Sequence, residues 1–212
     1  MKRGKFIAFE GGEGAGKSTQ ARLLAEELRR RGIDVVTTRE PGGTPHAETI
    51  RNLLLSVDGE PLPLRAEALL FAAARADHVG ALIEPALAEG KWVVCDRFID
   101  SSRAYQGGGG GIADEDLLAL HRFGSGGLMP DLTVLIEVDA EVAAKRASDR
   151  DAGKTDRIGG RDTAYHTRVS QAFADIADAE PDRFARIDGN GPKEVTHGRI
   201  MDAVASLLAV DQ

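Results

Sequence analysis

"GGEGAGKS", residues 11–18, lies between the apolar run FIAF at residues 6–9 and the amphipathic stretch TQARLLAEEL at residues 19–28. The octet matches the pattern G-x-x-x-x-G-K-[ST] through Gly11, Gly16, Lys17 and Ser18. A buried strand, a glycine-rich turn and a helix start form a setting in which backbone N–H groups converge on an anion. This stretch therefore predicts a strand–loop–helix unit that cradles phosphate, whereas a chance match in a flexible loop would lack the flanking strand and helix.

Each residue type in the octet has a physical task. The glycines allow close backbone approach, the helix start adds partial positive charge, Lys17 supplies a point charge and Ser18 offers an oxygen to Mg²⁺. We predict that the nucleotide phosphates contact a continuous loop, namely Gly11, Gly12, Glu13, Gly14, Ala15, Gly16, Lys17, Ser18 and Thr19.

Short apolar runs recur along the chain and alternate with longer helical patterns. The runs cover residues 6–9, 35–38, 92–95, 132–138 and 184–187. Their continuous rather than alternating hydrophobicity indicates a parallel sheet covered by helices on both faces, an α/β fold in three layers. Helices are predicted after the octet, over 64–89 with an interruption at Pro85, and over 114–123, 140–148, 163–179 and 193–209. Residues 106–111 and 148–162 are predicted to be loops.

Length and charge limit the classes of partner. The 212 residues suit one domain, and 27 basic against 34 acidic residues give a formal charge of -7. This balance provides no overall positive field for nucleic acid or an anionic membrane, so we expect a small, locally held anion.

The single cysteine, Cys95, permits no intramolecular disulfide and is expected to be buried. The four apolar residues after MKRGK are too few for an export signal, so a cytoplasmic location is expected.

An acidic residue ends the third apolar run, in WVVCDR at residues 92–97. At the end of a buried parallel strand, Asp96 would join Ser18 as a Mg²⁺ ligand, directly or through water; its alternative role is a helix cap. GTPase switches, ATPase motors and small-molecule kinases all have a phosphate cradle with a metal, so these features do not distinguish among the three classes.

Two arginines follow strands at the edge where parallel sheets bind ligands. Arg39 follows the second strand and Arg97 the third. Guanidinium groups bind phosphate bidentately, so the pair suits a second, phosphorylated substrate opposite the cradle. Pairing of each arginine with a surface carboxylate is the alternative.

Phe71 and Arg75 stand four residues apart and share a helix face. An aromatic ring beside a planar hydrogen-bond donor suits recognition of a nucleobase by stacking and hydrogen bonding. Spacing alone, however, favours a core phenylalanine and a solvated arginine.

A set of motifs that spans nearly the whole chain resembles the bacterial thymidylate kinases. The motifs are FEGGEGAGKSTQ, TREPGGT, LFAAARADH, DRF, SSRAYQGGG, PDLTVLIEVD and DRI, in that order. The resemblance implies a P-loop kinase domain covering residues 1–212, with five parallel strands in the order 2-3-1-4-5. It also implies phosphoryl transfer from MgATP to dTMP, and a homodimer.

The resemblance assigns substrate contacts to this chain. It implies that Phe71 stacks on thymine, that Arg75 binds the carbonyl edge of the base, and that Arg39 and Arg97 hold the acceptor phosphate. It places Glu13 near the acceptor sugar or a bound magnesium. A segment after the third strand adds the remaining contacts, with the base read by Ser101, Ser102 and Gln106 and the sugar approached by Tyr105.

Residues 146–161 have the composition of a cationic lid. Its basic members are Arg146, Arg150, Lys154, Arg157 and Arg161. The resemblance implies that an arginine from either the cradle or the lid reaches the transferring phosphoryl group. This cradle carries no arginine, so we predict that Arg150 reaches the γ-phosphate and that Arg146 or Arg157 assists. The chain departs from the family where DRIGG replaces DRIE, where Ser148 replaces a common arginine, and in the pure glycine run 107–111, for which close packing and flexibility stay open.

Two alternatives remain at this point. Another nucleoside monophosphate kinase or a deoxynucleoside kinase would share the cradle and the lid, although Arg39 favours a phosphorylated acceptor. A GTP-dependent switch is disfavoured because the guanine-reading run N-K-x-D does not occur in the sequence.

Overall fold

Five parallel strands form one sheet in the order β2-β3-β1-β4-β5, as predicted. The structure, a computed structural model, describes residues 2–151 and 156–209, with only the backbone described at 147, 148, 150 and 151. The strands are β1 (Phe6–Glu10), β2 (Val35–Arg39), β3 (Trp92–Asp96), β4 (Leu132–Glu137) and β5 (Phe184–Asp188).

The described helices cover both faces of the sheet. Their bounds are α1 (Lys17–Arg30), α2 (Pro45–Leu55), α3 (Leu64–His78), α4 (Glu84–Ala88), α5 (Ile99–Ser102), α6 (Asp114–Ser125), α7 (Ala140–Asp151), α8 (Thr163–Ala179) and α9 (Lys193–Ala209). The predictions for 163–179 and 193–209 are confirmed, and those for 114–123 and 140–148 are confirmed with slightly later ends.

The continuous apolar strands arise because successive side chains of β1 enter different cores. Ile7 and Phe9 pack with α1 and α9, whereas Phe6 and Ala8 pack on the opposite face with residues 79–87. All four are fully buried. A strand with both faces buried has no polar positions, so β1 shows no alternation in its sequence.

Hydrogen-bonded register brings the ends of the central strands together. Phe9 pairs with Asp96, and Arg39 pairs with the same aspartate from the other side. The residues that leave β1, β2 and β3 therefore emerge side by side at one sheet edge, where ligands bind in open α/β folds.

Helix α2 was not predicted, although its start is marked in the sequence. Thr44 caps it by accepting a hydrogen bond from the Ala47 N–H, and Pro45 occupies the first turn. The predicted interruption near Pro85 is confirmed: a π-helical segment, Val79–Ile83, separates α3 from α4. A proline lacks the N–H that a regular α-helix would use there.

The loop prediction for residues 106–111 is wrong over most of its length. Residues Arg103–Gly109 form a π-helical turn that continues α5, and Gly108 and Gly109 press against α8. A Cβ atom on either glycine would overlap side chains of α8, so close packing explains this part of the run. The loop prediction for 148–162 is also wrong at its start, because α7 extends to Asp151.

Cys95 is fully buried, as expected, and its thiol is free of any disulfide. Within residues 2–151 and 156–209, no helix combines the length and apolarity that a membrane span requires.

Candidate active site

The cradle holds its backbone in conformations that favour glycine. Gly11, Gly14 and Gly16 have φ values of 138°, 73° and 94°. A Cβ atom on Gly14 would also overlap the Ala143 carbonyl of α7. The cradle shape therefore depends on glycine for both its dihedral angles and its packing.

Lys17 is buried at the start of α1 and bends over the cradle. Its Nζ donates to the carbonyl oxygens of Gly11, at 3.0 Å, and Gly12, at 2.7 Å. Burial and the charge of Arg97 lower the pKa of Lys17 to about 8, although nearby carboxylates oppose this. An anionic ligand at the cradle would favour the charged form.

Ser18 and Asp96 meet as predicted, since the Ser18 hydroxyl donates to Asp96 Oδ2. The other oxygen, Asp96 Oδ1, is buried and bonds to no described residue. Two hard oxygen donors beside a phosphate cradle suit Mg²⁺, which takes few protein ligands and several phosphate or water oxygens. In the described part of the chain, no three His, Cys, Asp or Glu side chains gather as a metal site, so the nucleotide and water would supply the other ligands.

A cavity of about 370 Å³ adjoins the cradle. Every substrate-binding residue predicted from the sequence lines it: Arg39, Phe71, Arg75, Arg97, Ser101, Ser102, Tyr105 and Gln106. Glu13, Lys17, Ser18 and Asp96 also line it, so the fold gathers these predicted residues around one space.

Arg97 is the most constrained of these residues. Its φ of 70° places a non-glycine residue in the left-handed region. Its side chain donates to the Gly11 carbonyl, the Ser101 hydroxyl, the Tyr105 hydroxyl and Glu13, with the Glu13 contact at 2.6 Å. Strained backbone that persists at a ligand cavity is typical of a functional position.

Glu10 was missed by sequence reasoning and holds the segment that carries Arg97. Its fully buried carboxylate accepts from the Phe98 N–H at 2.8 Å and from the Ser101 N–H and hydroxyl at 3.0 and 2.6 Å. Burial and the charge of Asp100 raise the pKa of Glu10 to about 7, although the Ser101 hydrogen bond and the charge of Arg97 oppose this. Its place at the last position of β1 was the available signal.

Arg39 and a second arginine, Arg51, also line the cavity. Arg39 Nη2 lies 3.0 Å from each oxygen of Glu48, so a carboxylate now occupies the contact predicted for the acceptor phosphate. Burial and the charge of Arg39 lower the pKa of Arg51. Two cations that repel each other suit an anion between them. Arg51 was missed because α2 was not predicted.

Arg75 is buried rather than solvated. Its Nε donates to Glu40 at 2.8 Å, and its Nη2 donates to the Ser102 hydroxyl at 2.9 Å. The other Glu40 oxygen lies 3.0 Å from His78 Nδ1. These partners fix the guanidinium 5.4 Å from the centre of the Phe98 ring, in a cavity that the half-buried Phe71 also lines. Glu40 is a further site residue that the sequence reading missed.

Two side chains of the base-reading segment have protein partners of their own. The Ser101 hydroxyl donates to Glu10 and accepts from Arg97, and the Gln106 Nε2 group donates to Glu67 at 2.9 Å. Their contacts with a base stay predictions.

Arg146 and Arg157 of the predicted lid bind backbone carbonyls of neighbouring segments. The Arg150 side chain and Lys154 lie outside the described residues. Arg157 donates to the carbonyls of residues 56, 58, 59 and 60, and Arg146 donates to those of 189 and 191. Both guanidinium groups are held by backbone carbonyls, and their assistance at the γ-phosphate stays a prediction.

The cradle, the Ser18–Asp96 pair and the arginines of the adjoining cavity, at one edge of a 2-3-1-4-5 sheet, define a P-loop phosphotransferase of the nucleoside monophosphate kinase fold. Comparisons with known proteins agree with this class. The family model described as thymidylate kinase matches residues 9–200, and the chain belongs to the thymidylate kinase family.

Similar proteins match almost from end to end. A thymidylate kinase of Rhizorhabdus wittichii is 53% identical over 206 residues, covering 97% of this chain and 99% of the relative. One from Bradyrhizobium sp. (strain ORS 278) is 50% identical over 207 residues, covering 97% and 92%. The crystal structure of thymidylate kinase from Ehrlichia chaffeensis has a TM-score of 0.78 and 35% identity, covering 95% and 99% of the two chains.

Proposed function

We propose that the protein transfers the γ-phosphoryl group of ATP to dTMP, giving dTDP and ADP. One observation carries this assignment: two arginines suited to phosphate, Arg39 and Arg97, and an aromatic ring with a planar donor, Phe71 and Arg75, line one cavity beside the cradle. Family membership and the near-complete coverage of its relatives agree with it.

In the proposed reaction a phosphate oxygen of dTMP attacks the γ-phosphorus while the bond to the β-γ bridging oxygen breaks. The acceptor phosphate is already anionic at neutral pH, so no general base is required. Catalysis then depends on alignment and on neutralising charge. Lys17 would reach the transferring group, and Glu13 would position the acceptor near Arg97, its partner in the ligand-free protein.

Mg²⁺ is the proposed cofactor, held by Ser18 and Asp96. When bound, it would neutralise charge on the phosphate oxygens. The contact between these two side chains supports the assignment, as does Asp96 Oδ1, which bonds to no described residue.

Base recognition would use a fixed donor beside an aromatic plane. Arg75 is oriented by Glu40 and Ser102, so little side-chain entropy remains to be lost when a base carbonyl binds. Phe71 would stack on the ring, and Tyr105 would lie against the sugar.

We also propose one domain over residues 1–212 with a lid at about 146–161, in which Arg150 neutralises the transferring phosphoryl. The described part of the lid supports an acceptor-side position, because Asp156 and Ile158 line the cavity. The cytoplasmic location stays a prediction.

A homodimer is proposed as the assembly. Leu53, Leu69 and Phe123 are each more than half exposed, with Phe123 at 94%, and they lie on helices α2, α3 and α6, where α3 packs against both others. Exposed apolar side chains on packed neighbouring helices are typical of an interface. Sedimentation should give twice the chain mass for the natural protein and a shift to monomer for Phe123→Asp; a natural monomer would contradict the proposal.

A coupled ADP-release assay with MgATP tests the substrate. dTMP should give the highest kcat/KM among dTMP, dUMP, thymidine, CMP and AMP. A preference for thymidine or AMP would contradict the acceptor assignment, and selective GTP binding without transfer would contradict the reaction class.

A further inference from the structure

Three side chains connect the lid to the acceptor cavity. Arg161 Nη2 donates to Glu67 Oε2, and Glu67 Oε1 accepts from the Gln106 Nε2 group at 2.9 Å. Glu67 is 2% exposed and Arg161 25% exposed, so the carboxylate is buried between its two partners. The connection runs from the lid through α3 to the cavity wall, where Gln106 lies.

The lid end of this connection is fixed by packing as well as by charge. The Arg161 guanidinium lies 4.6 Å from the centre of the Tyr165 ring, and the Tyr165 hydroxyl donates to the Tyr105 carbonyl at 2.9 Å. Ile158 is 7% exposed and belongs to the same apolar cluster as both tyrosines. Residues 156–162 are therefore docked on the wall that carries Tyr105 and Gln106.

The chemistry of Glu67 decides which end of Gln106 faces the cavity. An ionised carboxylate accepts hydrogen bonds and donates none, so it binds the NH₂ end of a carboxamide. Among the described residues, no donor binds the Gln106 carbonyl oxygen, although the residue is 1% exposed and lines the cavity. The group offered to a ligand is consequently an acceptor.

We propose that Glu67 is a positioning residue that selects pyrimidines with an N–H at ring position 3, and that Arg161 holds Glu67 in this role from the lid. Thymine and uracil carry that N–H, whereas cytosine presents an unprotonated nitrogen that would face the Gln106 oxygen. A buried acceptor facing another acceptor is costly because neither is satisfied. This inference rests on the proposed function and adds the source of its base selectivity.

Glu67→Gln tests the orientation directly. The new carboxamide has the same size; it can accept from Arg161 and donate to the Gln106 oxygen, which turns the Gln106 NH₂ group toward the cavity. We expect the KM for dTMP to rise by about tenfold or more with a smaller change in kcat, and the dTMP-to-dCMP ratio of kcat/KM to fall by at least about tenfold. A folded Glu67→Gln protein with an unchanged ratio would overturn the proposal.

Arg161→Gln tests the lid anchor without relying on turnover. Loss of the ion pair should speed hydrogen exchange of the peptide covering residues 156–162 in the ligand-free protein, and should weaken dTMP binding measured by calorimetry. Arg22→Gln is the matched control, because Arg22 forms an exposed pair with Glu26 on α1. Exchange and affinity equal to those of the control would overturn the anchoring role.

Two outcomes distinguish the proposed function from the role of Glu67. Natural protein that transfers phosphoryl to no pyrimidine monophosphate would overturn the proposed function together with this proposal. Natural protein that prefers dTMP, combined with an unchanged ratio in Glu67→Gln, would overturn this proposal alone.

Discussion

Arg97 Nη2 and Glu13 Oε1 lie 2.6 Å apart, joining the end of β3 to the phosphate cradle. Arg97 is 17% exposed and Glu13 31%, so the pair is largely withdrawn from solvent. The guanidinium that suits the acceptor phosphate is thus already oriented, and an incoming phosphate would meet a donor whose position is fixed by four protein contacts.

Arg97→Lys should lower kcat/KM for dTMP by about 100-fold, or about 3 kcal/mol of transition-state stabilisation. A lysine offers one charged centre and cannot reproduce the fork that contacts Gly11, Ser101, Tyr105 and Glu13. Steady-state kinetics with varied dTMP would measure the loss. Arg22→Lys on the α1 surface is the control, and a folded Arg97→Lys enzyme within threefold of the natural rate would contradict the role of Arg97.

Lys17 should take up a proton when MgATP binds at pH 8.5. Its pKa of about 8 in the ligand-free protein leaves it mostly neutral at this pH, and phosphate charge at the cradle favours the ammonium form. We expect uptake of about 0.5 to 0.8 proton per nucleotide. Calorimetry in buffers with different ionisation enthalpies would measure it.

Lys17→Arg is the appropriate comparison, because arginine stays charged throughout this pH range. It should retain some nucleotide binding without proton uptake. Equal uptake by the two proteins would place the titrating group elsewhere.

Glu10 should make the fold less stable as pH rises from about 4.5 to 7. The folded protein holds a proton on Glu10 in this window, because burial raises its pKa to about 7, whereas the unfolded chain has released it above 4.5. By linkage, the free energy of unfolding then falls with rising pH, by about 3 kcal/mol in total from this group.

Glu10→Gln would remove this term while keeping a similar shape, since its NH₂ group can donate to the Ser101 hydroxyl and its oxygen can accept the two backbone N–H groups. Urea unfolding at several pH values would measure the difference in free energy of unfolding between the variant and the natural protein. This difference should shift in favour of the variant by about 3 kcal/mol between pH 4.5 and 8. The opposite contribution of His121, whose pKa burial lowers to about 4, is common to both proteins and cancels in the difference. Parallel pH profiles would show that Glu10 is ionised throughout.

The sequence predicts the sheet well because each of its strands combines an apolar run with a charged or glycine-rich exit. It also predicts the cradle, since a fixed run of adjacent residues creates it. The helix α2 and the π-helical turn at Arg103–Gly109 were missed for a different reason. Their stability comes from a cap at Thr44 and from packing of glycines against α8, and neither feature produces a hydrophobic period.

The same distinction applies to the site. Residues at strand ends, such as Arg39, Asp96 and Arg97, could be placed from topology alone. Their partners could not be predicted, because contacts such as that of Gln106 with Glu67 span 39 positions and depend on the unpredicted turn. The resemblance supplied substrate roles, whereas the structure supplies the supporting carboxylates Glu10, Glu40 and Glu67.

Gly109→Ala should destabilise the fold by about 1–2 kcal/mol. The added Cβ atom would lie 2.6 Å from a ring carbon of Tyr165 and 2.8 Å from a methyl carbon of Val169. Tyr165 is 6% exposed and its hydroxyl is bound to the Tyr105 carbonyl, so the ring has little room to retreat. Overpacking typically costs about 1–3 kcal/mol, which outweighs a gain of up to about 1 kcal/mol in helix propensity.

Gly198→Ala in α9 supplies the matched control for that prediction. Its new Cβ atom would meet nothing within 4 Å, so the same change of residue type should raise the free energy of unfolding by about 0.5–1 kcal/mol. Urea unfolding of both variants would compare them. If Gly109→Ala were as stable as Gly198→Ala, the turn at Arg103–Gly109 would have room for a methyl group. Close packing against α8 would then be contradicted, and flexibility would become the better explanation of the glycine run.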